Sequence, residues 1–215
     1  MWPAAGCKIK DQMINEKYEL IIENILAKGF SITDDFLSSS EISELLKSFR
    51  SRYSDGLFKE AGIGKSDQVK TIASIRGDEI LWLETNTEVL AERELLNKNL
   101  DFIQYLNRTC FLGIISSEVH FARYGVEKFY KRHLDTFQNQ DGRVLSIIYY
   151  LNEDWVPADG GYLIIYHQED GVEKEIRISP KAGRFICFDS TKLEHEVTES
   201  FKERLSITGW LKNIP

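Results

Sequence analysis

The stretch Lys131-Arg132-His133-Leu134-Asp135-Thr136 decides how the rest of the chain is read. On an extended backbone, side chains alternate between two faces, so His133 and Asp135 point the same way. A second imidazole delivered by the fold would complete a set of two histidines and one carboxylate. Such a set covers one face of a metal ion and leaves the opposite positions open. His195, 60 residues after Asp135, is the candidate for that third ligand. The separation allows several strands to leave and return. Taken singly, each residue also has an ordinary explanation. His133 can be an edge-strand histidine beside Lys131 and Arg132, and Asp135 a turn residue before the loop at 138–142. His195, between Glu194 and Glu196, can be a surface histidine. A lone His-x-Asp is common, so the surroundings must carry the weight.

Outward from that stretch the texture is β-rich. Short apolar runs at 119–124, 129–135, 144–151, 162–166, 175–178, 183–188, 194–197 and 205–211 are separated by turn residues. Strands at this spacing predict a sandwich or jelly roll. Upstream the period is helical. Ile14, Tyr18, Ile21, Ile22, Ile25 and Leu26 form one stripe, ended by Gly29. A short strand is expected at 30–32. Ser39 or Ser40 can cap a second helix to about Tyr53, with Ile42, Leu45, Leu46 and Phe49 inside. The longest helical pattern runs over 87–110. Between these helices lie a loop at 57–69, with Gly62 and Gly64, and a strand-like segment at 71–84, turning or interrupted at Arg76-Gly77-Asp78. Helices first and strands later make the fold class α+β. We expect a loose tail at 1–12, with Met13 a possible second start, and one domain at 13–215. Its helical layer covers about 13–110 and its jelly-roll core about 116–212.

Composition narrows the function classes. The chain has 42% hydrophobic and 28% charged residues and a net charge of −7. That charge argues against nucleic acid as a partner and, more weakly, against anionic membranes. Cys7, Cys110 and Cys187 are odd in number and lack a CxxC spacing, which points to reduced thiols, not a disulfide framework or zinc site. Cys110 and Cys187 lie in apolar runs and are expected in the core. No run approaches membrane-spanning length, and the first ten residues lack a secretory pattern. A cytoplasmic location is expected.

Two further stretches bear on chemistry. Arg204 follows His195 by nine residues and opens Arg204-Leu205-Ser206-Ile207-Thr208-Gly209-Trp210. Period two puts Arg204, Ser206 and Thr208 on one face and Leu205 and Ile207 on the other. An arginine with hydroxyls behind it can grip a carboxylate bidentately. The alternative is a strand-end arginine paired with Glu203 or Glu199. In the run 146–151, Tyr149 and Tyr150 have opposite parity, so one faces the site and the other the helical layer. A buried tyrosine hydroxyl normally finds a partner.

Taken together, these stretches resemble the 2-oxoglutarate- and Fe(II)-dependent oxygenases. The likeness is to the prolyl 4-hydroxylase branch with the hypoxia-inducible-factor prolyl hydroxylases and their compact bacterial relatives. It rests on His133-Leu134-Asp135, Gly142-Arg143, Ile148 to Trp155, Gly160-Gly161-Tyr162-Leu163, Pro180 to Arg184, His195-Glu196-Val197 and Arg204 to Trp210. Ala61 to Gly64 and Ile75 to Leu83 add to it, so it spans roughly 30–212. The resemblance implies a double-stranded β-helix core with supporting N-terminal helices. It implies His133, Asp135 and His195 as ligands of Fe(II). Arg204 and Tyr150 would bind the distal carboxylate of 2-oxoglutarate, with Thr208 in support. Tyr124 would touch the co-substrate, and Leu163 and Trp210 would line the pocket. The implied reaction is decarboxylation of 2-oxoglutarate to succinate and CO2, using O2 and coupled to hydroxylation of an unactivated carbon. Ascorbate is a further candidate reductant.

The substrate is less legible. The resemblance places Arg76 and Asp78 in a loop over the entrance, where they can orient a peptide or pair with each other. A basic cluster of Arg123, Lys128, Lys131 and Arg132 can guide an acidic partner or be a solvated strand edge. His120 and His167 have no spaced partners and are expected to be structural or exposed. The leading expectation is a dioxygenase acting on a prolyl residue of an intracellular protein or peptide. The alternatives are a hydroxylase of a free amino acid or small molecule, and a silent jelly-roll binding module. Oligomeric state is not encoded in any pattern found.

Overall fold

A computed structural model describes residues 14–62, 74–136 and 142–214. The expected tail at 1–12, Met13, Cys7, Ile63 and Gly64 of the 57–69 loop, the start of the 71–84 segment and most of the 138–142 loop lie outside the described residues.

Three helices precede the main run of strands: α1 (Glu16–Lys28), α2 (Ser39–Ser54) and α3 (Leu90–Cys110). α1 begins where the Asn15 side chain accepts from the Tyr18 N–H and ends at Gly29, whose φ of 84° suits a residue without Cβ. The cap of α2 is Ser38, one residue before the expected serines. Its Oγ accepts from the Glu41 N–H while the Glu41 carboxylate accepts from the Ser38 N–H, closing a reciprocal cap. α3 starts at Leu90, three residues later than its periodicity suggests, because the Thr87 hydroxyl is used to hold Glu92.

Eleven strands among the described residues form two antiparallel sheets. They are β1 (Phe30–Thr33), β2 (Lys59–Glu60), β3 (Asp78–Trp82), β4 (Ser116–Tyr124), β5 (Lys128–His133), β6 (Arg143–Tyr150), β7 (Leu163–Glu169), β8 (Val172–Ile178), β9 (Phe185–Asp189), β10 (Glu194–Ser200) and β11 (Arg204–Lys212). The large sheet has the order β1-β9-β6-β11-β4-β3-β2, and the small one β5-β10-β7-β8. β1, β2 and β3 fall in the part expected to be a helical layer, yet they extend the large sheet.

Parity splits the core in two. Val119, Phe121, Ile147, Tyr149, Phe185, Cys187, Leu205 and Ile207 face the helices and pack with Ile21, Leu45, Phe49, Phe102 and Leu106. Burying such side chains contributes roughly 1.5–3 kcal/mol each. The neighbouring residues Ala122, Tyr124, Ile148, Tyr150, Ile186 and Phe188 face the small sheet, against Leu163, Ile165, Ile178 and Val197. This is the jelly-roll sandwich of an α+β protein, and its site belongs between the sheets. The two tyrosines divide as their parity requires: Tyr149 donates to Asn99 of α3, and Tyr150 faces inward. Cys187 is fully buried, whereas Cys110, at the last residue of α3, is only half-buried and is not a core residue.

Candidate active site

Register places the inward residues in rows across the large sheet. Antiparallel partners share a face, so Asp78, Tyr124 and Arg204 form one row. The next holds Ile80, Ala122, Ser206 and Tyr150, and the third Trp82, His120, Thr208 and Ile148. The fourth holds Glu118, Trp210, Ser146 and Phe188. A positive charge stands at the first row, and the candidate metal ligands stand over the last.

His133 ends β5 and pairs directly with His195 on β10. Asp135 lies two residues beyond the strand end, and its carboxylate turns back between the imidazoles. Asp135 Oδ1 is 3.7 Å from His133 Nε2, and Oδ2 is 3.6 Å from His195 Nε2. One donor atom from each residue lies within 4.8 Å of the others. His133 Nδ1 donates to the Lys131 carbonyl at 2.7 Å, and His195 Nδ1 to the Leu193 carbonyl at 3.2 Å. A carbonyl can only accept, so Nδ1 of each ring is the donor and Nε2 is the atom turned toward Asp135. The donor set fits a divalent cation held on one face.

The surroundings keep His133 and Asp135 in their binding forms. Burial, and then the nearby His195, push His133 well below the usual imidazole range, so it stays neutral. Burial alone would raise Asp135. The His195 and His133 rings and the hydrogen bond from Ser146 outweigh it and hold the carboxyl below its usual value. Ser146 Oγ donates to Asp135 Oδ2 at 2.6 Å, and the Arg143 guanidinium donates to the Asp135 carbonyl at 2.8 Å. Tyr130 stacks on His133, with ring centroids 3.6 Å apart and planes 15° apart.

At the other end, Arg204 is 1% exposed and has no acidic partner among the described residues. The expected alternatives do not occur: Glu203 pairs with Arg123. Arg204 instead lies between the rings of Tyr124 and Tyr150, 5.0 Å from each centroid. Its Nε donates to the Gly161 carbonyl at 2.9 Å and its Nη2 to the Tyr150 hydroxyl at 3.2 Å. Guanidinium has five N–H donors, so three remain for an anion. Burial pushes the Tyr150 phenol up, so its own proton is also available to donate. The arrangement has the donors to receive one carboxylate.

The other expected residues distribute as follows. Leu163 is fully buried between Val197 and Ile178. Trp210 stacks on the Arg143 guanidinium at 3.6 Å and packs against His120. Thr208 contacts Ser206 at 3.4 Å and stands in the third row, not beside Arg204. Arg76 and Asp78 pair with each other at 2.6 Å, and Arg76 covers the Tyr130 ring at 4.7 Å. The two arginines of the basic cluster are neutralised: Arg123 pairs with Glu79 and Glu203, and Arg132 with Glu173 and Glu194. His120 is buried between Trp82 and Trp210, and burial pushes it down to about 3. Of the supporting residues, Ser146 was legible from its parity with Ile148 and Tyr150. Tyr130 and the Gly161 carbonyl carried no such signal.

A model of the 2OG-Fe(II) oxygenase superfamily matches residues 119–212. The chain belongs to this family of 2-oxoglutarate- and Fe(II)-dependent oxygenases, which take Fe(II), 2-oxoglutarate and O2. Within it, the chain is similar to a Pseudomonas putida prolyl-4-hydroxylase. That crystal structure superposes with a TM-score of 0.81 at 32% identity, covering 93% of this chain and 100% of that one. A prolyl hydroxylase from Trichoplax adhaerens, in complex with a hypoxia inducible factor oxygen degradation domain peptide fragment, gives 0.80 at 29% identity, covering 91% and 89%. The human Egl nine homolog 1 is 32% identical over 200 residues, 89% of this chain and 46% of that protein. The chain thus spans about half the length of that relative. No helix among the described residues is long and apolar enough to cross a membrane.

Proposed function

We propose that this chain is a dioxygenase that hydroxylates a prolyl residue in a protein or peptide, with Fe(II), 2-oxoglutarate and O2. The observation that carries this is the two-ended inner face. Three ligand side chains stand over one row, and three rows away stands a buried arginine with no acidic partner among the described residues. Similarity to prolyl hydroxylases supports the prolyl target, and one of them is solved with a peptide bound.

The residues divide the work. His133, Asp135 and His195 would hold the cation by three donors, one from each residue, and leave its remaining positions open. Arg204 takes the distal carboxylate of 2-oxoglutarate bidentately, and Tyr150 donates its phenol proton to the same group. Tyr124 and Leu163 close the walls and exclude water from the charge pair, which strengthens it. Bound iron supplies the oxidising chemistry on O2 and the 2-oxo acid. The protein fixes which carbon lies nearest. Asp78 holds Arg76 against Tyr130, so the Arg76 segment forms one rim of the opening beside His133. We place the peptide across that rim, in reach of the exposed ring of Trp82.

The test is direct. Purified protein with Fe(II), 2-oxoglutarate and air is incubated with a proline-peptide library. Succinate should form in step with a mass gain of one oxygen on proline. Absence of succinate, with or without a cell extract as prime substrate, would overturn the enzyme assignment. Succinate formation with oxygen gain on a small molecule alone would overturn the peptide.

A further inference from the structure

We propose that the Gly160-Gly161 turn, pinned by Trp155, is the positioning element that presents Arg204 to the 2-oxo acid. It rests on Arg204 being the receptor for the distal carboxylate. Arg204 is a long side chain gripped by two aromatic faces, and aromatic faces alone leave its guanidinium free to slide and rotate. What fixes its plane is the bond from Nε to the Gly161 carbonyl, at 2.9 Å, the shorter of its two hydrogen bonds; the other runs from Nη2 to the Tyr150 hydroxyl at 3.2 Å. A neutral carbonyl does what a carboxylate elsewhere would do, with one difference. It fixes the plane of the guanidinium without cancelling its charge, so the full positive charge is kept for the incoming anion.

The backbone is shaped for this purpose. Gly160 has φ 65° and ψ −135°, and Gly161 has φ 58°, a left-handed pair that residues with a Cβ rarely adopt. A Cβ on Gly161 would lie 2.9 Å from Ser200 Oγ, 3.1 Å from Arg204 Cδ and 3.2 Å from the Trp155 ring. A Cβ on Gly160 would lie 2.4 Å from the Glu199 carbonyl. The turn therefore touches both the Arg204 stem and the segment that leads into β11.

Its two consecutive carbonyls are both used: Gly160 accepts from Trp155 Nε1 at 3.1 Å, and Gly161 accepts from Arg204. The turn is also tied to the chain just before Arg204. Gly161 N–H donates to the Glu199 carbonyl and Phe201 N–H to the Asp159 carbonyl, each at 2.8 Å. Trp155 and Ser200 are buried, so the frame is solid. A receptor group held within a few tenths of an ångström binds its ligand without first ordering itself.

Two variants and two probes test this. The variants are Trp155→Phe, which keeps the ring and removes the N–H, and Gly161→Ala. Each is titrated without O2, first with Mn(II) alone and then, metal-loaded, with 2-oxoglutarate or 2-oxobutyrate. 2-Oxobutyrate keeps the 2-oxo acid end and lacks the distal carboxylate. We expect Kd for 2-oxoglutarate to rise roughly threefold to tenfold in Trp155→Phe and more than tenfold in Gly161→Ala. Mn(II) and 2-oxobutyrate should bind each variant as they bind the wild type. Folded Trp155→Phe with wild-type affinity for 2-oxoglutarate overturns the proposal, even if Gly161→Ala fails to fold. Equal loss of both acids overturns it too, since the defect would then be general. Wild-type protein that binds Mn(II) and 2-oxobutyrate but not 2-oxoglutarate more tightly overturns the role of Arg204 itself.

Discussion

Replacing Ser146 by Ala isolates the group that orients the metal-binding carboxylate. Ser146 is 1% exposed and has one hydroxyl proton, which it gives to Asp135 Oδ2 at 2.6 Å. Its contact with Ser190 Oγ at 2.8 Å must then be donated by Ser190. Losing a hydrogen bond to a buried charged group costs about 1.5–3 kcal/mol. At about 1.4 kcal/mol per tenfold, that is roughly a 10–100-fold loss of metal affinity, the range expected when a partner of a metal ligand is removed. The variant should also lose about 1–3 kcal/mol of stability, because the fully buried Ser190 hydroxyl is left without its acceptor. Ser190→Ala separates the two effects. It removes the second hydroxyl but leaves Ser146 free to donate to Asp135, so stability should fall while metal affinity holds within about threefold. Anaerobic titration with Fe(II) or Mn(II), without 2-oxo acid, reads affinity, and urea unfolding reads stability. Ser146→Ala binding metal as tightly as the wild type would refute the orienting role, as would equal losses in the two variants.

Tyr150→Phe removes the hydroxyl that accepts from Arg204 and is free to donate onward; calorimetry should show 2-oxoglutarate binding roughly fivefold to tenfold weaker with metal binding unchanged. Arg76→Ala leaves the Asp78 carboxylate, 1% exposed, without its cation, which should cost about 3–5 kcal/mol in denaturant unfolding. Adding Asp78→Ala should return part of that loss, and a simple sum of the two single effects would show that the pair is not coupled. Burial alone would raise the Glu92 pKa, but hydrogen bonds from Ser48, Thr87 and Arg52 outweigh it and hold it below the usual value. A depressed folded-state pKa gives stability that is complete above the unfolded value of about 4.3 and is lost as pH falls through the folded value. Wild-type stability should therefore drop below about pH 4.3 more steeply than that of Glu92→Gln, and parallel profiles would contradict this.

Much of the fold was legible because period two and period 3.6 are strong signals in this chain. The parity of 204–210 and 146–150 predicts which side chains share the inner face, and register confirms it row by row. The approach of His195 to His133 was not encoded locally. It follows from the pairing of β5 with β10, a contact across 62 residues that no spacing rule specifies. The misplaced starts of α2 and α3 have a common cause. Ser38 and Thr87 are spent on side-chain bonds to Glu41 and Glu92, and periodicity does not register hydroxyl partners. The two arginines of the basic cluster looked free for a similar reason: the acids that pair with them come from elsewhere in the chain, Glu79, Glu173 and Glu194 from other strands and Glu203 from the turn before β11.

The order of the inner rows also explains why the two ends of the site can be tuned apart. Between the Arg204 row and the Ser146 row lie Ala122 and Ser206, then Thr208 and Ile148. Two of the residues nearest Arg204 are small and buried, so the floor there is low and a short dicarboxylic acid can lie along it. The strand rises about 3.3–3.4 Å per residue, so Ser206 and Thr208 follow one another along this floor between the two ends. Arg204 is fixed by a frame built from 155–161 and 199–201, whereas the histidines are fixed by their own strand carbonyls at Lys131 and Leu193. Neither support borrows from the other. A substitution in the turn at Gly161 can move the carboxylate receptor while the ligands stay in register, and one at Ser146 can loosen the metal while the receptor stays in place.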